Sequence, residues 1–123
     1  MVKFERVDTT ANRLRIAMEE AGKRQVDLVR ETGIDKGALS NYLKGRYEPK
    51  QDVVYKLAVA LNVSEMWLWG YDCQRERTQA QKNNDLLAEI VVRMRTDKAF
   101  FDAVSALHKL DSDKLAGLSA FLK

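Results

Sequence analysis

The polar side chains with the clearest chemical pattern lie between residues 36 and 44. Lys36, Gly37, Ser40, Asn41 and Lys44 recur at i, i+1, i+4, i+5 and i+8, so they share one face of a helix. Ammonium, hydroxyl and carboxamide groups can hydrogen-bond to base edges, and lysine also neutralises phosphate. No carboxylate lies on this face to repel phosphate. The pattern is therefore typical of a helix that enters the major groove of DNA.

Other reactive side chains are too isolated in the sequence to predict a catalytic or metal site. His108 has no Cys, Asp or Glu at metal-ligand spacing on the same helical face, and Cys73 is the single cysteine. One cysteine makes no intramolecular disulfide, which fits a reducing compartment. We therefore expect no enzyme activity, no metal, no cofactor and a cytoplasmic location.

Two short helices must position the polar face. They meet at Gly33-Ile34-Asp35, a turn of the kind that a DNA-binding helix-turn-helix requires. Apolar spacing, glycines and capping residues predict five helices before residue 71, and no segment alternates as a strand does. The first helix is predicted over about residues 11–21, with Thr10 as its N-cap, and the second over residues 25–32. The third is predicted over residues 36–44, with Asp35 as its N-cap, and the fourth over residues 51–61. The fifth is predicted from its N-cap Ser64 to residue 70.

Length and charge restrict the class of protein without identifying a partner. The chain has 123 residues and a net charge of +3, from 21 basic and 18 acidic side chains. This excess is mild, so charge alone does not indicate nucleic acid. No apolar run approaches the ~18 residues of a membrane span. The charged N-terminal residues do not form a signal peptide, so we expect a protein that does not enter a membrane.

A second apolar region follows a polar stretch. Residues 72–83 are predicted as a linker or a solvated helix between a DNA-binding domain over residues 1–71 and a helical module over residues 84–123. The module has three apolar stripes at helical spacing, with Asp97 and Asp111 as N-caps. A unit this small needs a partner, and a second copy is the simplest one. The residues expected at the dimer interface are Leu87, Ile90, Phe100, Phe101, Val104, Leu118 and Phe121.

Residues from about 8 to 71 resemble the lambda- and Cro-type repressor domains, also called the xenobiotic-response-element-like helix-turn-helix family. The shared motif is Gln25-x-x-Leu28, Gly33-Ile34, Leu39-Ser40-Asn41-Tyr42, Gly45, Leu57-Ala58 and Ser64-x-x-Trp67-Leu68-x-Gly70. The segment around Trp67, with its short helical tail, is also similar to lysogeny repressors of phages of Gram-positive hosts. The resemblance implies an all-α, five-helix DNA-binding domain, a helical oligomerisation module, and a dimeric repressor of operator DNA.

The same resemblance implies contacts for individual residues. Base edges would be contacted by Gln25, Lys36, Gly37, Ser40 and Asn41, and phosphates by Arg24, Lys44, Arg46 and Tyr47. Gln25 would also bridge a phosphate to a side chain of the recognition helix, and Asn41 suits adenine. Gly37 departs from the family because it has no side chain to read a base, although it allows the backbone to approach closely. At two positions where the family often has a buried Arg–Glu pair between the first and third helices, this sequence has Met18 and Leu43. We therefore expect the side chains of Met18 and Leu43 to be in contact.

Other functions stay open at this point. The C-terminal helices could bind another protein, as in an antitoxin-like or antirepressor-controlled regulator, and this role is compatible with DNA binding. Activation of transcription through a surface patch is a further alternative. A self-cleaving repressor is disfavoured, because the helical residues after Asn83 do not match the β-rich protease tail of such proteins.

Overall fold

The computed structural model describes residues 5–123, and this range contains eight α-helices and no extended strand. The helices are α1 (Thr10–Ala21), α2 (Gln25–Thr32), α3 (Lys36–Leu43), α4 (Gln51–Leu61), α5 (Glu65–Leu68), α6 (Gln79–Thr96), α7 (Lys98–Leu107) and α8 (Ser112–Leu122). The predicted all-α class, with a five-helix domain followed by C-terminal helices, is confirmed. The chain divides into two compact units, Met1–Gln79 and Ala80–Lys123.

One leucine from each of the first five helices forms the centre of the first unit. Leu14, Leu28, Leu39, Leu57 and Leu68 are fully buried. Burying one leucine side chain contributes roughly 1.5–3 kcal/mol. Helices of this length are marginal in isolation, so their stability comes from this shared core. The core is completed by Ala17, Met18, Ile34, Val54, Ala58, Leu61, Val63 and Trp67.

Two of the predicted helix starts differ in detail from the structure. The N-cap of α1 is Thr9, whose hydroxyl oxygen accepts a hydrogen bond from the backbone N–H of Asn12 at 3.2 Å. Thr10, predicted for this position, is instead the first helical residue and is buried. Ser64 does precede α5, but its side chain makes no capping hydrogen bond. Neighbouring residues compete for a cap, and packing of the first turn decides between them.

The segment before α1 pairs with the chain that leaves α5. The backbone N–H groups of Val7 and Asp8 donate to the carbonyl of Gly70, at 2.8 and 3.1 Å. Gly70 has φ +100°, and a Cβ atom at this residue would lie 2.1 Å from the carbonyl oxygen of Asp8. Glycine is therefore required here, both for the backbone angle and for the close approach.

Residues 72–77, which we call the strap, are held on the first unit. The backbone N–H of Ser64 donates to the carbonyl of Arg75 at 2.8 Å, and Val63 and Glu76 form an isolated β-bridge. The guanidinium of Arg77 is buried and donates to the carbonyl of Val63 at 3.2 Å. Of the predicted 72–83 linker, the first half is therefore the strap, and residues 79–83 are the first residues of α6.

The second unit exposes much of its apolar surface. Asp97 and Asp111 cap α7 and α8, as predicted, by accepting from the backbone N–H groups of Phe100 (3.1 Å) and Lys114 (2.9 Å). Among the described residues of α6, α7 and α8, none is buried. Large apolar side chains that stay exposed are Leu86, Leu87, Val91, Val92, Phe101, Leu110, Leu115, Phe121 and Leu122. This unit therefore lacks a core comparable to that of the first.

Candidate nucleic-acid interface

Helix α3 is fixed to the protein by its inner face. Leu39 is fully buried, and Ala38, Tyr42 and Leu43 pack partly buried against the same core. Met18 of α1 belongs to the same core. Met18 and Leu43, the two apolar residues at the positions of the family's Arg–Glu pair, therefore both face the protein interior. Apolar side chains at such sites are often as stable as a buried ion pair. The inner face thus sets which residues of α3 point outward.

Both ends of α3 are held by side chains. At the N-terminus, the carboxylate of Asp35 accepts from the backbone N–H of Ala38 at 3.1 Å, which is the predicted N-cap. At the C-terminus, the guanidinium of Arg15 in α1 donates to the carbonyl of Leu43 at 2.8 Å. A cation at a helix C-terminus is favourable, because unpaired carbonyls concentrate negative charge there. Sequence reasoning missed Arg15, since no local pattern connects it to Leu43.

The outer face of α3 carries the polar residues that the sequence singled out. Lys36, Gly37 and Lys44 are exposed, and Ser40 and Asn41 are half-buried. Within residues 5–123, the hydroxyl of Ser40 and the carboxamide of Asn41 have no intramolecular hydrogen-bond partner. Their donors and acceptors are therefore available to an external ligand. A Cβ atom on Gly37 would lie 3.1 Å from the Asp35 carboxylate, so the glycine also leaves room for the cap.

Helix α2 packs against α3 and carries further polar side chains at its N-terminus. Gln25 is its first residue and is exposed, and the side chain of Arg24 is 81% exposed. The backbone N–H of Arg24 donates to the carboxylate of Asp27 at 2.8 Å, and this bond lowers the pKa of Asp27. The guanidinium groups of Arg24 and Arg30 lower it further. Asp27 thereby organises a helix start that presents backbone N–H groups and two arginines, features that favour anions.

The loop after α3 presents the remaining predicted phosphate contacts. The backbone N–H of Arg46 donates to the carbonyl of Asn41 at 3.0 Å, and the backbone N–H of Gly45 donates to the carbonyl of Tyr42 at 3.2 Å. Gly45 has φ +73°. These two bonds end the helix and set the direction of the loop. Arg46 and Tyr47 are exposed on it. The sequence did not predict that Glu48, the next residue, is paired with Arg6.

One half-buried arginine, Arg13, and one buried arginine, Arg77, escaped sequence analysis. Arg13 donates from Nε to Asp8 and from Nη1 to the carbonyl of Trp67, both at 3.1 Å, and lies over the Trp67 ring. Arg77 pairs with Glu65 at 3.2 Å and lies over the ring of Tyr55. Both connect residues that are distant in the sequence, so neither has a local signal. They stabilise the unit that carries α3 and do not lie on α3 itself.

The described residues lack features of two other kinds of site. Among residues 5–123, no group of three His, Cys, Asp or Glu side chains is placed to hold a metal ion. In the same range, every helix is too short or too polar to cross a bilayer.

The helices of the first unit and the polar outer face of α3 are similar to a known helix-turn-helix domain. Residues 14–68 match the helix-turn-helix family model, of the Cro/C1 type, and this match spans α1 to α5. The match supports a DNA-binding transcriptional regulator. A crystal structure of a transcriptional regulator from Listeria innocua is similar, with 18% identity and a TM-score of 0.47, over 89% of this chain and 100% of that one. No curated protein matches the chain.

Proposed function

We propose that this protein is a repressor that binds operator DNA with α3 in the major groove. The observation that carries the proposal is the division of α3 into two faces. Its inner face is locked by the core and its ends by Asp35 and Arg15, while Ser40 and Asn41 keep unpaired polar groups outside. A rigid helix with unpaired donors and acceptors is what base readout requires.

Individual contacts follow from the chemistry of each side chain. Asn41 would bond both edge atoms of an adenine, and Lys36 would donate to a guanine. Ser40 and Gln25 would contact neighbouring base edges, and Gly37 would bring the backbone close to the groove. Phosphates on either side would be contacted by Arg24, Lys44, Arg46 and Tyr47. These phosphate contacts would supply most of the affinity and its dependence on salt.

The second unit would join two copies of the chain. Its helices have no buried residue, and Phe121 and Leu87 are 83% and 58% exposed. Covering apolar surface contributes about 25 cal/mol per Å², so an uncovered module of this composition favours association. A two-fold dimer would present two α3 helices to two half-sites about one helical turn apart. Occupying an operator in this way would block transcription.

A second candidate keeps DNA binding but changes the partner of the second unit. A groove between α7 and α8 is lined by Leu107, Leu115, Leu118 and Leu122. Another protein, such as an antirepressor or a toxin, could place an apolar helix there. Sedimentation of the full chain separates the two candidates, because a monomer at micromolar concentration would favour a different protein as the partner.

Selection of bound sequences from random duplex DNA tests the main proposal. We expect one enriched half-site, repeated with two-fold symmetry at a constant spacing. The selected DNA should then be bound far less tightly by an Asn41→Ala variant, while a Gln51→Ala variant at an exposed position of α4 serves as the matched control. Failure to enrich any sequence with a folded protein would contradict the proposal.

A further inference from the structure

The α3–α4 loop, residues 44–50, carries one acidic side chain among its basic ones. Three of its residues are Lys or Arg, and Glu48 is the only Asp or Glu between residues 36 and 50. Glu48 directly follows Arg46 and Tyr47, two of the proposed phosphate contacts, and its side chain is 63% exposed. Exposed charges interact over a Debye length of about 10 Å at 0.1 M salt. An unpaired carboxylate at this place would therefore repel an approaching phosphate.

The charge of Glu48 is paired by a residue from a distant part of the chain. The guanidinium of Arg6 donates from Nη2 to Oε1 of Glu48, across 42 positions of the sequence. The side chain of Arg6 is 41% exposed, so the ion pair lies at the surface of the first unit. The loop therefore presents a neutral ion pair to solvent in place of a lone carboxylate.

The backbone on both sides of Arg6 is attached to the segment that follows α5. The carbonyl of Glu5 accepts from the backbone N–H of Asp72 at 2.8 Å, and the backbone N–H of Val7 donates to the carbonyl of Gly70, also at 2.8 Å. Between these two bonds, Arg6 itself forms an isolated β-bridge to the same segment. These bonds fix the place from which the Arg6 side chain reaches Glu48.

A second ion pair of the first unit shows what distinguishes Arg6 and Glu48. Arg75 of the strap pairs with Glu20 of α1, and their side chains are 39% and 49% exposed. Exposed ion pairs of this kind contribute little to stability. The two pairs are alike in exposure, but one alone includes a residue of the α3–α4 loop. The distinctive property of the Arg6–Glu48 pair is therefore its place beside the proposed phosphate contacts.

We propose that Arg6 is a further residue of the DNA interface, where it neutralises the Glu48 carboxylate so that the α3–α4 loop can approach a phosphate. The inference rests on the proposed DNA-binding function. It adds a residue that acts through Glu48 and reads no base. Its effect is therefore the same on every DNA sequence, and it weakens as salt screens the charges.

The test measures the affinity of the full chain for the selected operator and for a mixed-sequence duplex, each at low and high salt. Arg6→Gln removes the charge but keeps a polar side chain. It should weaken binding to both duplexes by about five- to tenfold at about 50 mM salt, and by less than about threefold at about 300 mM salt. Adding Glu48→Gln to Arg6→Gln should restore the affinity to within about twofold of wild type, because the pair is then uncharged.

Arg75→Gln is the matched control for Arg6→Gln. It removes an equal charge from an ion pair of similar exposure that lies outside the α3–α4 loop. It should bind both duplexes within about twofold of wild type, and so should Arg6→Lys, which keeps the charge. If Arg6→Gln does not unfold cooperatively in urea, Arg6→Met replaces it, because methionine also lacks the charge and has a long side chain.

Three results would overturn this inference and leave the repressor proposal standing, provided that the wild-type chain prefers the selected operator. The first is an Arg6→Gln variant that binds as tightly as wild type. The second is a double variant as weak as Arg6→Gln, because Arg6 would then act without Glu48. The third is an equal loss in Arg75→Gln, which would reduce the effect to net charge. A wild-type chain that binds neither duplex would overturn both proposals.

Discussion

Gly70→Ala should destabilise the first unit by about 3–4 kcal/mol. An alanine at φ +100° is disfavoured by roughly 1–2 kcal/mol. Its Cβ atom would also lie 2.1 Å from the carbonyl oxygen of Asp8, so the two segments must separate by about 1 Å. That movement would break the bonds from Val7 and Asp8 to the Gly70 carbonyl, at about 1 kcal/mol each.

Gly33→Ala is the matched control for Gly70→Ala. Gly33 also has a positive φ, +73°, but a Cβ atom there would meet nothing within 4 Å. This variant should lose only the about 1–2 kcal/mol of stability by which a positive φ is disfavoured for alanine. The difference between the two variants isolates the collision with Asp8. Urea unfolding followed by tryptophan fluorescence measures both, because the two tryptophans, Trp67 and Trp69, lie in the first unit. Equal losses in the two variants would refute the reasoning.

The other predictions concern the proposed DNA-contacting surface and its support. Asn41→Ala and Ser40→Ala should each weaken specific binding by about 1–3 kcal/mol and relax base preference, as measured by titration of operator and scrambled duplexes. Lys44→Ala should weaken both duplexes alike and reduce the slope of log affinity against log salt by about one; an unchanged slope would mean that Lys44 contacts no phosphate. In the folded protein the pKa of Asp27 lies below the ordinary value of an aspartate. The Asp27 carboxylate therefore stabilises the fold fully at a pH above the ordinary pKa, and this stabilisation is lost as the pH falls through the folded pKa. Asp27→Asn should therefore be less stable than wild type at about pH 5 and lose less stability on acidification to about pH 2; parallel pH profiles would contradict this.

The first unit combines a stable scaffold with a small polar surface. Leu39 and Leu28 fix α3 against α2 in the core, and Arg15 fixes its C-terminus. Because the scaffold does not use Ser40 or Asn41, those residues can change without loss of the fold. Variants at these two residues should therefore keep the stability of the first unit.

Local sequence patterns determined most of the helices and the choice of candidate site. Helical spacing of apolar residues depends on neighbours within one or two turns, so α2 and α4 were predicted with the bounds that the structure has. The caps Asp35, Asp97 and Asp111 are likewise local, because a cap bonds a backbone group three residues away. The outer face of α3 followed from the same periodicity, and its contacts with DNA stay predictions.

Only the tertiary structure decided how distant segments meet. Arg77 and Arg13 are ordinary charged residues in the sequence, and the folded chain pairs them with the carbonyls of Val63 and Trp67, which local patterns do not connect to them. The polar strap was predicted as a linker because composition reports how many apolar groups a segment has, not which backbone groups it can pair with. Buried polar groups need a partner, and the folded chain supplies one from a distant segment.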